Sequence, residues 1–188
     1  MNFKGIYPLV DYVGYYCNHN GDKTVLTEWM LHKFIWYTFL KNDKPTQRRF
    51  MIDPNITVES LNAMGKGNMV EYLGIEFTEV NSDSITAKMP VDHRTKQPMG
   101  LLHGGASVVL AETIGSVASN VCIDSQQQYC VGLDINANHL KAVTDGYVYG
   151  TAKALHMGRR THVWEIRISN EQEQLVCISR LTMAVVDK

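Results

Sequence analysis

The sequence predicts an α+β domain in which one long helix is wrapped by a curved antiparallel sheet of about six strands. Three observations predict it. An apolar run over about 105–121 has the length of a helix, two strand-like runs precede it and four follow it. The connections between the later strands are short, which favours antiparallel pairing. A helix that is apolar on every side needs cover on every side, and a strongly curved sheet can supply that cover.

The 188-residue chain changes character near residue 50. Residues 1–50 hold most of the aromatic side chains and carry seven Lys/Arg against four Asp/Glu, a net charge of +3. Within them, 24–42 could form an amphipathic or strongly apolar helix. We treat 1–50 as an N-terminal extension of uncertain origin, because Met51 could be the natural start. We expect the main domain to span 51–188.

Turn and cap residues divide this domain into its elements. A short helix is predicted over 56–65, where Thr57 is placed to cap it and Gly65 to end it. The runs 71–80 and 84–91 flank a turn and predict a hairpin. A loop then leads to the apolar helix. The four later strands are predicted at 129–138, 146–155, 161–169 and 174–186.

One carboxylate, Glu112, stands in the middle of the apolar helix. Burying a carboxylate there costs several kcal/mol unless it is paired, hydrogen-bonded or protonated. Either the side chain reaches water or it serves chemistry. Ser116 lies one turn further on the same side of the helix. This offset, together with the glycines at the helix start, favours a functional glutamate over one that snorkels to water or forms a salt bridge.

The helix begins at His103-Gly104-Gly105. Two glycines let a substrate oxygen approach the exposed backbone N–H groups, where the helix dipole also favours negative charge. This is the local design of an oxyanion hole. Serine esterases use related glycine loops, but the chain has no G-x-S-x-G elbow, which disfavours that class.

The spacing of these groups predicts how many chains build one site. His103 and Glu112 are nine residues apart, roughly 13 Å along a helix axis. They cannot grip one carbonyl group within a single chain. Two antiparallel helices related by a twofold axis would bring each N-terminus near the other Glu112. If Glu112 is catalytic with this oxyanion hole, the enzyme is at least a dimer with two composite sites.

Composition disfavours several partners. A net charge of −1 gives no electrostatic reason to expect nucleic acid. The four cysteines have no metal-ligand spacing and fit buried thiols in a reducing compartment better than disulfides. No stretch reaches the ~20 apolar residues needed to span a bilayer, and no signal-peptide pattern is present. We expect a cytoplasmic protein that needs no metal or cofactor.

Three stretches, TKQPMGLLHGGASVVLAETIGS, VGLDINANHLK and LHMGRRTHVWEI, carry a family resemblance. From about Met51 to the C-terminus the chain resembles the hotdog-fold acyl-CoA thioesterases of the phenylacetate-pathway type. The resemblance implies a helix inside an antiparallel sheet, paired as dimers and often as dimers of dimers. It also implies hydrolysis of an aromatic acyl-CoA thioester, with aroyl groups on a carrier protein as the alternative substrate. The family shows Phe at Met99, a buried exchange that we expect to be mild.

The resemblance implies roles for individual residues. Glu112 matches the nucleophile or general base. Gln97 and His103 match residues that hold the thioester carbonyl, assisted by the Gly104 backbone N–H, and Ser116 matches the hydroxyl that orients the acid or the attacking water. The positions that match substrate and CoA contacts are Gly132, His139, His156, Gly158, Arg159, Arg160 and Thr161.

Other readings of the same residues stay open. Outside the family pattern, His139 and His156 are ordinary strand-end histidines, and Arg159-Arg160 is a solvated turn. An acyl-CoA hydratase or dehydratase would place a His and an acid beside the carbon next to the carbonyl. A non-catalytic acyl-CoA-binding module would have no need of a buried Glu112.

Overall fold

The computed structural model describes residues 52–188 and the backbone of two short strands nearer the N-terminus. The chain divides into two compact units, residues 1–49 and 50–188. In the first unit β1 (Tyr15–Cys17) pairs antiparallel with β2 (Lys23–Val25). The helix predicted from residue 24 does not begin there, because residues 24 and 25 belong to β2. The rest of that predicted helix lies outside the described residues.

The second unit contains three helices and one six-stranded sheet among the described residues. The strands are antiparallel throughout, in the order β3-β4-β6-β7-β8-β5. The predicted α+β architecture, one long helix with a six-stranded antiparallel sheet, is therefore confirmed. The elements are α1 (Val58–Met64), α2 (Met69–Tyr72), β3 (Glu76–Val80), β4 (Ser84–Pro90), α3 (Gly104–Asn120), β5 (Gln128–His139), β6 (Tyr147–Met157), β7 (Thr161–Asn170) and β8 (Leu175–Asp187).

The first helix has the predicted caps. The Thr57 side chain accepts a hydrogen bond from the Ser60 N–H, and Gly65 is the C-cap. Asn62 then fastens α1 to the sheet, because its side chain both donates to and accepts from the backbone of Phe77, at 3.0 and 2.8 Å. Local capping and one side-chain tether thus fix where the sheet begins.

The strand predicted from residue 71 is wrong at its start. Met69–Tyr72 form the short helix α2, capped by the Asn68 side chain, which accepts from the Val70 N–H at 2.9 Å. Gly74 then takes a left-handed φ of 68°, and the strand begins at Glu76. The aliphatic residues Leu73 and Ile75 are therefore buried under a turn, whereas Tyr72 is 71% exposed.

Helix α3 packs on the inner face of the sheet. Leu110, Ile114 and Ala118 lie one or two turns apart and are fully buried. Strand β7 faces them with alternating burial: its even-numbered residues from 162 to 168 are buried, and Arg167 is exposed. The Trp164 indole N–H donates to Ser119 Oγ at 2.7 Å, so the polar edge of the largest core side chain is satisfied.

The expectation that the sheet covers α3 on every side is wrong. Gly105 and Glu112 are exposed, and Val108, Val109 and Ser116 are half-buried. These positions recur every three or four residues and so form one stripe along the helix. The sheet covers the opposite side of the helix. Glu112 therefore reaches solvent in the single chain.

Candidate active site

The start of α3 presents open hydrogen-bond donors. His103 is the N-cap, and its Nδ1 accepts a hydrogen bond from the Gly105 N–H at 2.8 Å. Since Nδ1 is the acceptor, the imidazole carries its proton on Nε2, which is left to donate. The Gly104 N–H, the first of the helix, has no intrahelical acceptor. Two donors, one from a side chain and one from the backbone, therefore stand at this end.

Gln97 lies in a tight turn just before the helix. The Gly100 N–H donates to the Gln97 carbonyl at 2.9 Å, and Gly100 has a φ of 82°. The Gln97 side-chain oxygen accepts from the Met99 N–H, so the amide NH₂ group remains a donor. The Met99 side chain is 82% exposed, which corrects the expectation that it is buried. A hydrogen bond of 2.8 Å from the His103 N–H to the Thr95 carbonyl joins this loop to the helix start.

Gln97, Gly104 and His139 meet at one cavity of about 340 Å³. A Cβ at Gly104 would stand 2.7 Å from His139 Nε2, so a side chain at 104 would displace the imidazole. The wall beside these polar groups is mainly aliphatic, formed by Leu101, Leu102, Leu140, Ala142 and Val176. A few converging donors next to an apolar wall can orient a carbonyl group while they bury an acyl group.

The sequence around His139 gives no sign of this aliphatic wall. Leu140 reaches the cavity because its N–H donates to the Val176 carbonyl of β8 at 2.8 Å. That contact joins the residue after β5 to the neighbouring strand β8, which is far away in the sequence, and it has no local sequence signal. Lys141 also lines the cavity and adds a cation at its edge.

Glu112 and Ser116 lie outside this cavity. No described residue forms a hydrogen bond or ion pair with the Glu112 carboxylate. Its Oε1 lies 3.1 Å from the place that a Cβ would take at Gly132 of β5. The Ser116 Oγ lies 3.9 Å from Met183 Sδ of β8. Glu112, Ser116 and Gly132 thus form a second group, separate from the donors at the helix start.

The turn between β6 and β7 forms a third group. The Gly158 N–H donates to the Thr161 carbonyl at 2.8 Å, which places Arg159 and Arg160 at the exposed tip. Arg160 Nη1 lies 3.6 Å from Asp187 Oδ2, an exposed ion pair that is worth little in water. Both guanidinium groups can therefore turn toward a ligand.

Two histidines lie at the base of this turn. His156 is exposed, and its Nε2 lies 2.7 Å from the place that a Cβ would take at Gly158. His162 is buried. Burial lowers the pKa of His162, and the neighbouring His156 lowers it further. A positive charge on His162 is therefore disfavoured, and the arginines at the tip supply positive charge to this turn.

The described residues contain no cluster of three or more His, Cys, Asp or Glu side chains that could hold a metal ion. In the same part of the chain, every helix is too short or too polar to cross a membrane.

Comparison with known proteins identifies the family. Residues 99–177 match the thioesterase superfamily. The chain is 56% identical over 131 residues to 1,4-dihydroxy-2-naphthoyl-CoA hydrolase of Escherichia coli (strain K12), which covers 70% of this chain and 96% of that protein. It is 49% identical over 132 residues to the proofreading thioesterase EntH of Cronobacter turicensis, with the same coverage of 70% and 96%. A mutant thioesterase from Pseudomonas aeruginosa superposes with a TM-score of 0.72 at 52% identity, over 73% of this chain and 99% of that chain. The chain therefore belongs to the thioesterase superfamily, has its hotdog fold and is a thioester hydrolase.

Proposed function

We propose that the chain hydrolyses an aromatic acyl-CoA thioester, 1,4-dihydroxy-2-naphthoyl-CoA of menaquinone biosynthesis, in the cytoplasm. The observation that carries the hydrolysis is the set of open donors at the start of α3, beside an aliphatic cavity. The choice of acyl group rests on the hydrolase of that name, which is 56% identical over 131 residues.

The donors hold the thioester carbonyl. The substrate oxygen accepts from the Gly104 N–H, from the Gln97 amide and from His103 Nε2–H. Negative charge develops on this oxygen when the carbonyl carbon becomes tetrahedral, and the helix N-terminus stabilises that charge. Thiolate is a good leaving group and the fixed dipoles polarise the carbonyl. The proposed reaction therefore needs no metal or cofactor.

Glu112 of a second copy supplies the carboxylate. Within one chain Glu112 is eight residues beyond Gly104, about 12 Å along the axis, and it does not line the cavity. It attacks the carbonyl carbon and expels CoA thiolate, which leaves a mixed anhydride for water to cleave, or it takes a proton from the attacking water. Ser116, one turn away, orients the acid or that water. The functional unit is a homodimer at least, and we expect a dimer of dimers.

The CoA moiety lies along the positions implied by the family. Arg159 and Arg160, exposed at the β6–β7 turn, suit its phosphate groups, because a guanidinium binds phosphate with paired hydrogen bonds. Thr161, Gly158 and His156 frame the same turn. His139 lies at the cavity, and Gly132 lies beside Glu112.

The test replaces Glu112 by Gln and measures free-thiol release from naphthoyl-CoA. We expect the variant to fold normally and turnover to fall by at least about 100-fold, because the carboxylate forms or breaks bonds at the reacting carbon. Glu79→Gln is the matched control. Glu79 is an exposed glutamate on β3, and its side chain forms no hydrogen bond or ion pair among the described residues. A near-normal rate for Glu112→Gln contradicts the assignment.

Isotope labelling separates the two routes for Glu112. In a single turnover in oxygen-18 water, the anhydride route places label first in the Glu112 carboxylate. The general-base route places it directly in the acid product.

Hydrolysis of aroyl groups from a carrier protein is the second candidate, because the proofreading thioesterase EntH is 49% identical over 132 residues. The ratio of kcat/KM for naphthoyl-CoA and for an aroyl carrier protein decides between the two. Free-thiol release from a small panel of acyl-CoAs also tests the hydratase and the non-catalytic binder, since neither releases thiol.

A further inference from the structure

We infer that Gly132 is a positioning residue for Glu112: its missing side chain leaves the space in which the carboxylate stands. This role rests on the proposed chemistry of Glu112 and differs from lining the substrate channel. It assigns to β5 the task of fixing where the reacting carboxylate lies along the open stripe of α3.

The contact between the two residues is close. A Cβ built at Gly132 would lie 3.1 Å from Glu112 Oε1, nearer than carbon and oxygen atoms ordinarily approach. The carboxylate oxygen therefore stands at the edge of the space that a side chain at 132 would need. A larger residue at 132 would force the carboxylate to move by a few tenths of an ångström or more.

The strand is irregular at this point. Gly132 pairs with Met183, the next recorded pair joins Asp134 to Thr182, and Leu133 is the extra residue between them. A bulge of this kind bends a strand and aims nearby groups. Glycine inside a strand costs stability and often marks a close approach of another group. Here that group is the Glu112 carboxylate.

Ser116 of α3 lies over the same part of the sheet as Gly132. Met183, the cross-strand partner of Gly132, receives the contact from Ser116 Oγ at 3.9 Å. Ser116 is one turn from Glu112 on α3. The carboxylate has no hydrogen-bond partner among the described residues, and a Cβ at Gly132 of β5 would be its close neighbour.

The test is Gly132→Ala. The φ angle of Gly132 is not positive, so its backbone accepts alanine. We expect kcat to fall about tenfold with KM within about twofold, because a small displacement of the attacking group costs rate more than binding. Asn136→Ala, an exposed change on the same strand, should alter neither.

Two further variants show whether Gly132 acts through Glu112. In the Glu112→Gln background, Gly132→Ala should cause no further loss of residual turnover. In the Glu112→Asp background its cost should be smaller, because the shorter side chain retracts from β5. Equal costs in all three backgrounds overturn the inference.

The inference and the proposed function fail differently. If Glu112→Gln keeps its rate, the proposed chemistry is wrong. If Glu112→Gln is inactive while Gly132→Ala keeps the wild-type kcat, only the positioning role is wrong. Elution volume and melting temperature of Gly132→Ala, measured beside Asn136→Ala, show that a loss of rate is not a loss of assembly or fold.

Discussion

Subunit mixing tests the composite site most directly. The test combines two variants that we expect to be inactive, Glu112→Gln and Gln97→Ala, in one dimer. Gln97 lines the cavity at the helix start, whereas Glu112 lies about 12 Å further along α3. A catalytic carboxylate must come within about 3 Å of the atoms it acts on. The two residues of one chain therefore belong to different sites of the proposed dimer.

The expected recovery follows from counting sites. Removal of one oxyanion donor costs about 100- to 1,000-fold in kcat, and we expect loss of the proposed catalytic carboxylate to cost at least about 100-fold, so both parent proteins should be nearly inactive. When equal amounts assemble at random, about half of the dimers contain one chain of each kind. In such a dimer one site has lost both groups and the other has kept both. The mixture should therefore recover about one quarter of the wild-type rate.

The assay refolds or co-expresses the two chains together and measures free-thiol release per subunit. The matched control mixes Glu112→Gln with the double variant Glu112→Gln/Gln97→Ala, in which every site lacks the carboxylate. That control should stay at the parental rate. If the test mixture also stays at the mean of its parents although mixed dimers have formed, each site lies within one chain and the reasoning from the helix rise is refuted.

The remaining predictions concern stability. Ser119→Ala leaves the buried Trp164 N–H without its acceptor and should lower the free energy of unfolding by about 1–3 kcal/mol in urea, and an unchanged midpoint would contradict this. The Arg94 guanidinium lowers the pKa of Asp92 to about 2, below its unfolded value, so the stabilisation is present above about pH 4 and is lost as the pH falls toward 2. Asp92→Asn should therefore cost about 1 kcal/mol near neutral pH, after allowance for the 33% exposed carboxylate, and almost nothing at pH 2. A cost independent of pH would show that the ion pair is not its source.

The long elements could be predicted because their patterns are local. The helix predicted over 105–121 is Gly104–Asn120, and the strand predicted over 161–169 is Thr161–Asn170. Length and period decide such elements. The short helix α2 could not be predicted in this way, because four residues are too few to show a period. Its cap at Asn68 is the local signal that could have revealed it.

The start of α3 was predictable from its residue types, and the surroundings of the candidate site were not. The glycines and His103 mark the helix start, and their spacing from Glu112 follows from helix geometry alone. The cavity wall could not be predicted from the sequence, since Leu140 and Val176 meet only through the pairing of strands that are far apart in the chain. Composition also could not show which side of α3 the sheet leaves open, because Val108 on the open stripe is as apolar as Leu110 in the core.

The open stripe explains why a carboxylate is tolerated in so apolar a helix. In the single chain Glu112 reaches water, so folding does not cost the free energy of removing water from this carboxylate. Strand β5, whose Gly132 lies next to Glu112, is an edge strand and exposes Tyr129, Val131 and Leu133, with 43%, 41% and 63% of their surfaces accessible. An edge strand with exposed apolar side chains is the kind of surface that a second copy covers. Under the proposed dimer, Glu112 would lose its water only when the partner's helix start arrives, so the same step that desolvates the carboxylate would bring it to the thioester.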